Sequence, residues 1–126
     1  DAGGLTRLQK MKTGALISFA VDASAVLGGA EANERRALAG FAHDIGLAYQ
    51  IADDVLDIEG DADILGKSVG KDTAQGKSTF VSLLGVERAR EQALQLSYQA
   101  VVHLDAFGER ADPLREAAAF VIQRRS

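Results

Sequence analysis

The sequence predicts an all-α protein built as an antiparallel bundle of helices. Ala, Leu, Gln, Glu and Arg dominate it, and these residues favour helix. A single proline, Pro113, occurs in 126 residues, so little besides glycine can interrupt a helical run. Nowhere does an alternating apolar–polar run bounded by turn residues mark a strand. Hydrophobic residues make up 47% and charged residues 25%, which excludes a disordered chain and fits a globular one. A chain of this size can bury roughly two-thirds of its unfolded surface, enough for a core.

Four helices are expected. The first runs from about Leu5 to Leu27, and Gly28-Gly29 supply its C-terminal stop. The second begins near Asn33 and continues to Glu59, with Gly60 as its stop. The stretch from Gly60 to Gly76 has no helical periodicity, and an unstructured connection of that length in a compact protein is usually functional or disordered. The third helix is expected from about Ser78 to Phe107, ending at Gly108. The fourth opens with Asp112 as N-cap and Pro113 at the first helical position, and reaches about Arg124. Short links at 28–32 and 108–111 make consecutive helices antiparallel neighbours. Phe19, Phe41, Phe80 and Phe107 are assigned to the core, His43 and His103 to the surface, and Asp22 to a partner outside the chain.

Fourteen basic residues stand against eighteen acidic ones, a net charge of −4, so no basic footprint for nucleic acid is present. Without cysteine, disulfide scaffolds and thiolate metal sites are excluded, and a reducing, cytoplasmic setting is expected. The longest apolar stretch, Gly14 to Ala30, is broken by Asp22 and rich in small residues, so it reads as a buried helix rather than a membrane span. No leader pattern is read. The chain opens on Asp1 rather than Met, and its helical pattern starts almost at once. The expectation is that it forms part of a longer protein.

The segment Phe41 to Glu59 carries the most chemistry. On a helical wheel Phe41, Ile45, Ala48, Ala52 and Val55 form an apolar stripe, widened by Leu47, Ile51 and Ile58 on one side and Tyr49 and Leu56 on the other. The remaining narrow stripe holds Gly46, Gln50, Asp53, Asp54 and Asp57. Asp53 and Asp57, four residues apart, sit one above the other, and like charges so placed destabilise a helix. A divalent cation offsets this, and an all-oxygen donor set suits Mg²⁺ completed by water and phosphate oxygens. A solvated acidic face is the competing reading. The lysines that follow at Lys67, Lys71 and Lys77 favour a Mg²⁺–diphosphate site, where metal and ammonium groups together hold the phosphate. Gly66-Lys67-Ser68 and Gly76-Lys77-Ser78 are not P-loops: each has five residues between its glycines instead of four, and no strand precedes either.

Gln50-Ile51-Ala52-Asp53-Asp54-Val55-Leu56-Asp57 with Leu65-Gly66-Lys67 resembles the second aspartate-rich region of the trans-isoprenyl diphosphate synthases, the polyprenyl synthetase family. Lys12-Thr13-Gly14-Ala15-Leu16 resembles the family's Lys-Thr element. Gly76-Lys77-Ser78-Thr79-Phe80 with Leu83-Leu84-Gly85 resembles the stretch that follows, and Ile122-Gln123-Arg124-Arg125 the C-terminus of bacterial farnesyl diphosphate synthases. The resemblance covers nearly the whole chain, in order and at compatible spacing. It implies that residues 1–126 are the C-terminal part of a single isoprenoid-synthase bundle whose N-terminal part is absent here.

The activity implied is head-to-tail condensation of isopentenyl diphosphate with an allylic diphosphate, dimethylallyl or geranyl, to farnesyl diphosphate. Asp53 is then a direct Mg²⁺ ligand, with Asp54 and Asp57 holding metal-bound water or supplementing it. Lys12, Thr13 and Lys67 contact the allylic diphosphate, and Gln50 lies near the reacting carbons or the phosphate. Lys77 is a further phosphate contact, and Arg124 and Arg125 close over the isopentenyl site. A homodimer is implied.

Two departures stand out. Tyr49 occupies a place where the family often has Phe. The family's first aspartate-rich motif, which binds two further Mg²⁺ ions, has no counterpart, because Asp53–Asp57 is the one D-D-x-x-D in the chain. The isolated chain is therefore expected to be inactive. The alternatives are a non-catalytic helical relative that binds a partner, a geranylgeranyl or longer-chain synthase, and a terpene cyclase or squalene-synthase-like enzyme. The last lacks its usual Asn/Ser/Glu-type metal motif here.

Overall fold

The computed structural model describes residues 2–65 and 85–123. Among them are four α-helices, one 3₁₀ segment and no strand, as the composition predicts. The helices are α1 (Ala2–Leu27), α2 (Ala32–Leu65), α3 (Val86–Val102) and α4 (Asp112–Gln123), with the 3₁₀ segment Asp105–Ala111 between the last two. No described helix is long and apolar enough to cross a membrane.

The first hairpin is set by local chemistry. Gly29 adopts φ +73°, a conformation that disfavours side chains with a Cβ. The Ala30 amide donates to the Ala25 carbonyl at 2.9 Å and the Gly29 amide to the Val26 carbonyl at 3.1 Å. This paired closure stops α1 and satisfies its last carbonyls. Glu34 then turns back on the start of α2, its Oε1 accepting from the Glu31 amide at 2.9 Å. That is the return half of a capping box. The four-residue link leaves α1 and α2 antiparallel, and the Arg35 guanidinium donates to both Asp22 oxygens at 3.1 and 3.2 Å. Asp22, assigned to an outside partner, thus pairs across its own hairpin.

Helix α2 is the central element and packs on α1, α3 and α4. Its buried stripe of Phe41, Ile45, Ala48, Ile51 and Val55 meets Ala89, Ala93, Leu96, Ala100 and Leu104 from α3 and beyond, and Ala118 from α4. Burying each larger apolar side chain contributes about 1.5–3 kcal/mol. The alanines let helix axes approach closely. The Ser97 hydroxyl, buried between α3 and α4, donates to the Ala118 carbonyl at 3.4 Å.

Several expected boundaries move. Helix α2 does not stop at Glu59 but passes through Gly60 to Leu65. Gly60 is not in a left-handed conformation, so a glycine in this position weakens the helix without ending it. Residues 66–84, with the expected start at Ser78 and with Phe80, lie outside the described residues. Gly85, which the expected third helix included, has φ +84° and stands outside α3 as its N-cap. At its other end α3 stops at Val102, and a 3₁₀ segment kinked at Gly108 replaces its last turn. Arg115 braces this end. It donates to the Gly108 carbonyl at 2.7 Å and adds a second bond, at 3.2 Å, to the Leu104 carbonyl, which already accepts the Phe107 amide at 3.0 Å. Asp112 is not an N-cap in geometry: it is helical itself, at φ −55°, and pairs with Arg115 at 2.7 Å. Phe41 is buried and Phe107 packs against the core, whereas Phe19, expected in the core, is 71% exposed on α1.

Candidate functional site

The site residues fall on two antiparallel helices. Lys12 and Thr13 lie on α1; Gln50, Asp53, Asp54 and Asp57 lie on α2. The Asp22–Arg35 ion pair sets the register between them. At 1.5 Å per residue, Lys12 is about 15 Å back along α1 from that pair. Gln50 is about 22 Å and Asp53 about 27 Å along α2 from it. The Lys-Thr element is thus brought within about 7 Å of Gln50 along the helix axes, and within about 12 Å of Asp53. Lys67, Lys77, Arg124 and Arg125 lie outside the described residues.

The wheel places all three aspartates on one polar stripe, yet their surroundings differ. Asp54 is buried at 6% exposure, Asp53 is half-buried and Asp57 is exposed. The reason is geometric. Asp53 and Asp57 are 40° apart on the wheel, while Asp54 lies about 100° from Asp53, toward the packed face. Gly46, placed on the same polar stripe, is buried as well. Gln50 and Tyr49 are half-buried, as is Thr13, while Lys12 is exposed. Lys12 stands beside an exposed apolar face of α1 formed by Ala15, Leu16 and Phe19. A second cleft, between Glu31, Asn33, Glu34 and Phe107, lies at the opposite end of α2, about 30 Å from Asp53 along the helix.

The donors are oxygen only, which suits a hard dication such as Mg²⁺. Among the described residues no three acidic, His or Cys side chains converge into a metal-ligating group. Asp53 and Asp57, on one face of α2, fit an ion held by one or two carboxylates, with water and phosphate oxygens completing its shell.

Two polar contacts on α2 escape sequence reasoning. Arg90 of α3 pairs with Glu59 and, at 3.3 Å, with Glu87. His103 Nε2 lies 3.2 Å from Asp44 Oδ2, so this surface histidine is paired. Gly40 receives the His103 ring, which would lie 2.7–2.9 Å from a Cβ there. The Arg90–Glu87 pair is legible as an i,i+3 contact. The other two join residues so far apart in the chain that no local pattern reveals them.

Comparison with known proteins gives this arrangement its context. Residues 4–107 match the family described as polyprenyl synthetase. The chain belongs to the polyprenyl synthetase family. The resemblance carried by Lys12-Thr13 and Asp53–Asp57 is thereby borne out. The chain is 40% identical over 124 residues to a dimethylallyltranstransferase of Fischerella ambigua, covering 98% of this chain and 36% of that one. It is 42% identical over 113 residues to a geranylgeranyl diphosphate synthase of Cyanophora paradoxa, covering 90% and 38%. It is 43% identical over 88 residues to a farnesyl diphosphate synthase of Geobacillus stearothermophilus, covering 70% and 30%. Among solved structures, an apo FPP/GFPP synthase from Zymomonas mobilis superposes with a TM-score of 0.75 at 47% identity, over 93% of this chain and 37% of that one. The chain thus spans about a third of the length of these relatives, and shares the fold of the solved one over that span.

Proposed function

We propose that this chain forms the C-terminal part of a short-chain trans-isoprenyl diphosphate synthase. The enzyme joins isopentenyl diphosphate to dimethylallyl or geranyl diphosphate and yields farnesyl diphosphate. The observation that carries the proposal is the pairing of half-buried Asp53 and exposed Asp57 on one face of α2, opposite a helix bearing Lys12 and Thr13. Family membership supplies the reaction class.

The chemistry requires a leaving diphosphate to be stabilised while its allylic C–O bond breaks. Bound Mg²⁺ supplies positive charge to the departing oxygens. Asp53 would hold that ion from α2, with Asp57 and buried Asp54 supplementing it. Lys12 and Thr13 offer an ammonium and a hydroxyl to the phosphate oxygens, with Lys67 and Lys77 as further cationic contacts. Such preorganised donors act without reorganising as charge develops. Gln50, between the two groups, faces the reacting end of the substrate. The isopentenyl alkene then attacks the allylic cation and a proton is lost. Arg124 and Arg125 would contact the diphosphate of isopentenyl diphosphate.

The enzyme works as a cytoplasmic homodimer, with the N-terminal part of the fold supplying the other metal-binding wall. A geranylgeranyl or longer product is the second reading, favoured by the names of the Cyanophora paradoxa and Zymomonas mobilis relatives. Product analysis by chromatography decides between them. Replacing Asp53 with Ala in the full-length enzyme is expected to lower kcat by at least about a hundredfold, the scale of losing a group that stabilises transition-state charge. Near-normal turnover would overturn the site assignment.

A further inference from the structure

Beyond Val55, α2 leaves the fully buried cluster; Ile58 packs against it only partly exposed. The turn of α2 that carries Asp57 is held to the core by Ile58 and tied to α3 by the ion pair between Glu59 and Arg90. Arg90 is itself steadied from its own helix by Glu87, at 3.3 Å. At the other end of the same interface, His103 meets Asp44 at 3.2 Å. Glu59 and Asp44 are about 22 Å apart along α2, and Arg90 and His103 about 20 Å apart along α3. Two polar clasps of matching spacing thus bracket the α2–α3 interface, one at the far end and one beside the acidic stripe.

Direction matters as much as distance. On the wheel Glu59 lies about 160° from Asp57 and about 120° from Asp53. On the wheel the clasp thus lies on a different side of the helix from these two residues. Holding Glu59 fixes the rotation of this turn about the helix axis, and so the direction in which Asp57 points. An ion pair whose partners are each about half exposed adds little to global stability. Its consequence is local.

We propose that Arg90 is a positioning residue for the acidic stripe, acting through Glu59 to orient Asp53 and Asp57 toward the cation they hold. The proposal rests on the Mg²⁺–diphosphate reading above. The test uses full-length protein, with MgCl₂ and inorganic pyrophosphate as probes in titration calorimetry. Arg90→Ala is expected to raise the Mg²⁺ concentration for half-maximal pyrophosphate binding by about three- to tenfold, at or below the usual loss on removing partners of metal ligands. The thermal midpoint should move little, and amide exchange over residues 53–65 should accelerate. The exchanged pair Glu59→Arg with Arg90→Glu should restore binding. Unchanged Mg²⁺ dependence in Arg90→Ala, or no recovery in the exchanged pair, would overturn the proposal. Asp53→Ala serves as the reference. If it abolishes binding while Arg90→Ala does not alter it, the positioning role alone fails. If Asp53→Ala leaves binding intact, the Mg²⁺–diphosphate reading fails first.

Discussion

A Cβ at Gly40 would sit 2.7 Å from the His103 ring, closer than real side chains approach. The imidazole lies against α2 because that hydrogen-only position leaves room, and Asp44, one turn on, receives its Nε2. Gly40→Ala is expected to push the His103 ring aside and break its contact with Asp44; because that ring is 40% exposed and Ala favours helix, the net change in stability should stay within about 1 kcal/mol. Urea denaturation measures this, and in a His103→Ala background the same substitution should be stabilising. Nothing in the sequence marks Gly40 as constrained, since its neighbour is 63 positions away. The aspartates show the same division. Their presence, spacing and shared helix are legible in the sequence. That Asp54 is buried while Asp57 is exposed follows from which sides of α2 its neighbours occupy, and no wheel records that.

Among the elements, α2 departs most from expectation. Glycine is a common helix stop, and Gly60 ends a strong apolar pattern, so reading a boundary there follows the local rules. The helix continues because Gly60 keeps a helical backbone and Glu59 is held by Arg90. A Cβ at Gly60 meets nothing within 4 Å. Gly60→Ala is therefore expected to stabilise the protein by about 0.5–1 kcal/mol, through helix propensity and a less flexible unfolded chain. A higher urea midpoint with an unchanged slope would show it. By contrast Gly29 behaves as read, because its positive φ and paired amides make a stop that one turn of sequence specifies. The 3₁₀ segment after α3 was not legible, because Arg115 reaches back eleven residues to Leu104 to brace it.

At the scale of the whole molecule, α1 is the unusual element. Leu5, Leu8, Met11, Leu16 and Phe19 are exposed along it, although one side packs on α2. Scattered surface hydrophobes need no explanation, but this many on one helix form an apolar face. Relatives about three times as long supply a simple physical context for it. The 126-residue chain, purified alone, is expected to show no synthase turnover with Mg²⁺ and both diphosphates. Measurable product in a radiolabelled isopentenyl assay would contradict the reading that half of the metal site lies elsewhere in the fold.

The all-α class, the first hairpin, the central amphipathic helix and the motif residues Lys12, Thr13, Gln50, Asp53, Asp54 and Asp57 were determined by the sequence alone. Each depends on periodicity, capping or spacing within a few turns of one helix, and such signals are carried by neighbouring residues. Tertiary structure decided which aspartate is buried, how far α2 runs past Gly60, where Asp22 finds Arg35, and how Arg90 and His103 clasp α2. Those outcomes depend on rotation and depth between helices. They are set by contacts between residues 13 to 59 positions apart, whose energies exist only once the chain has packed.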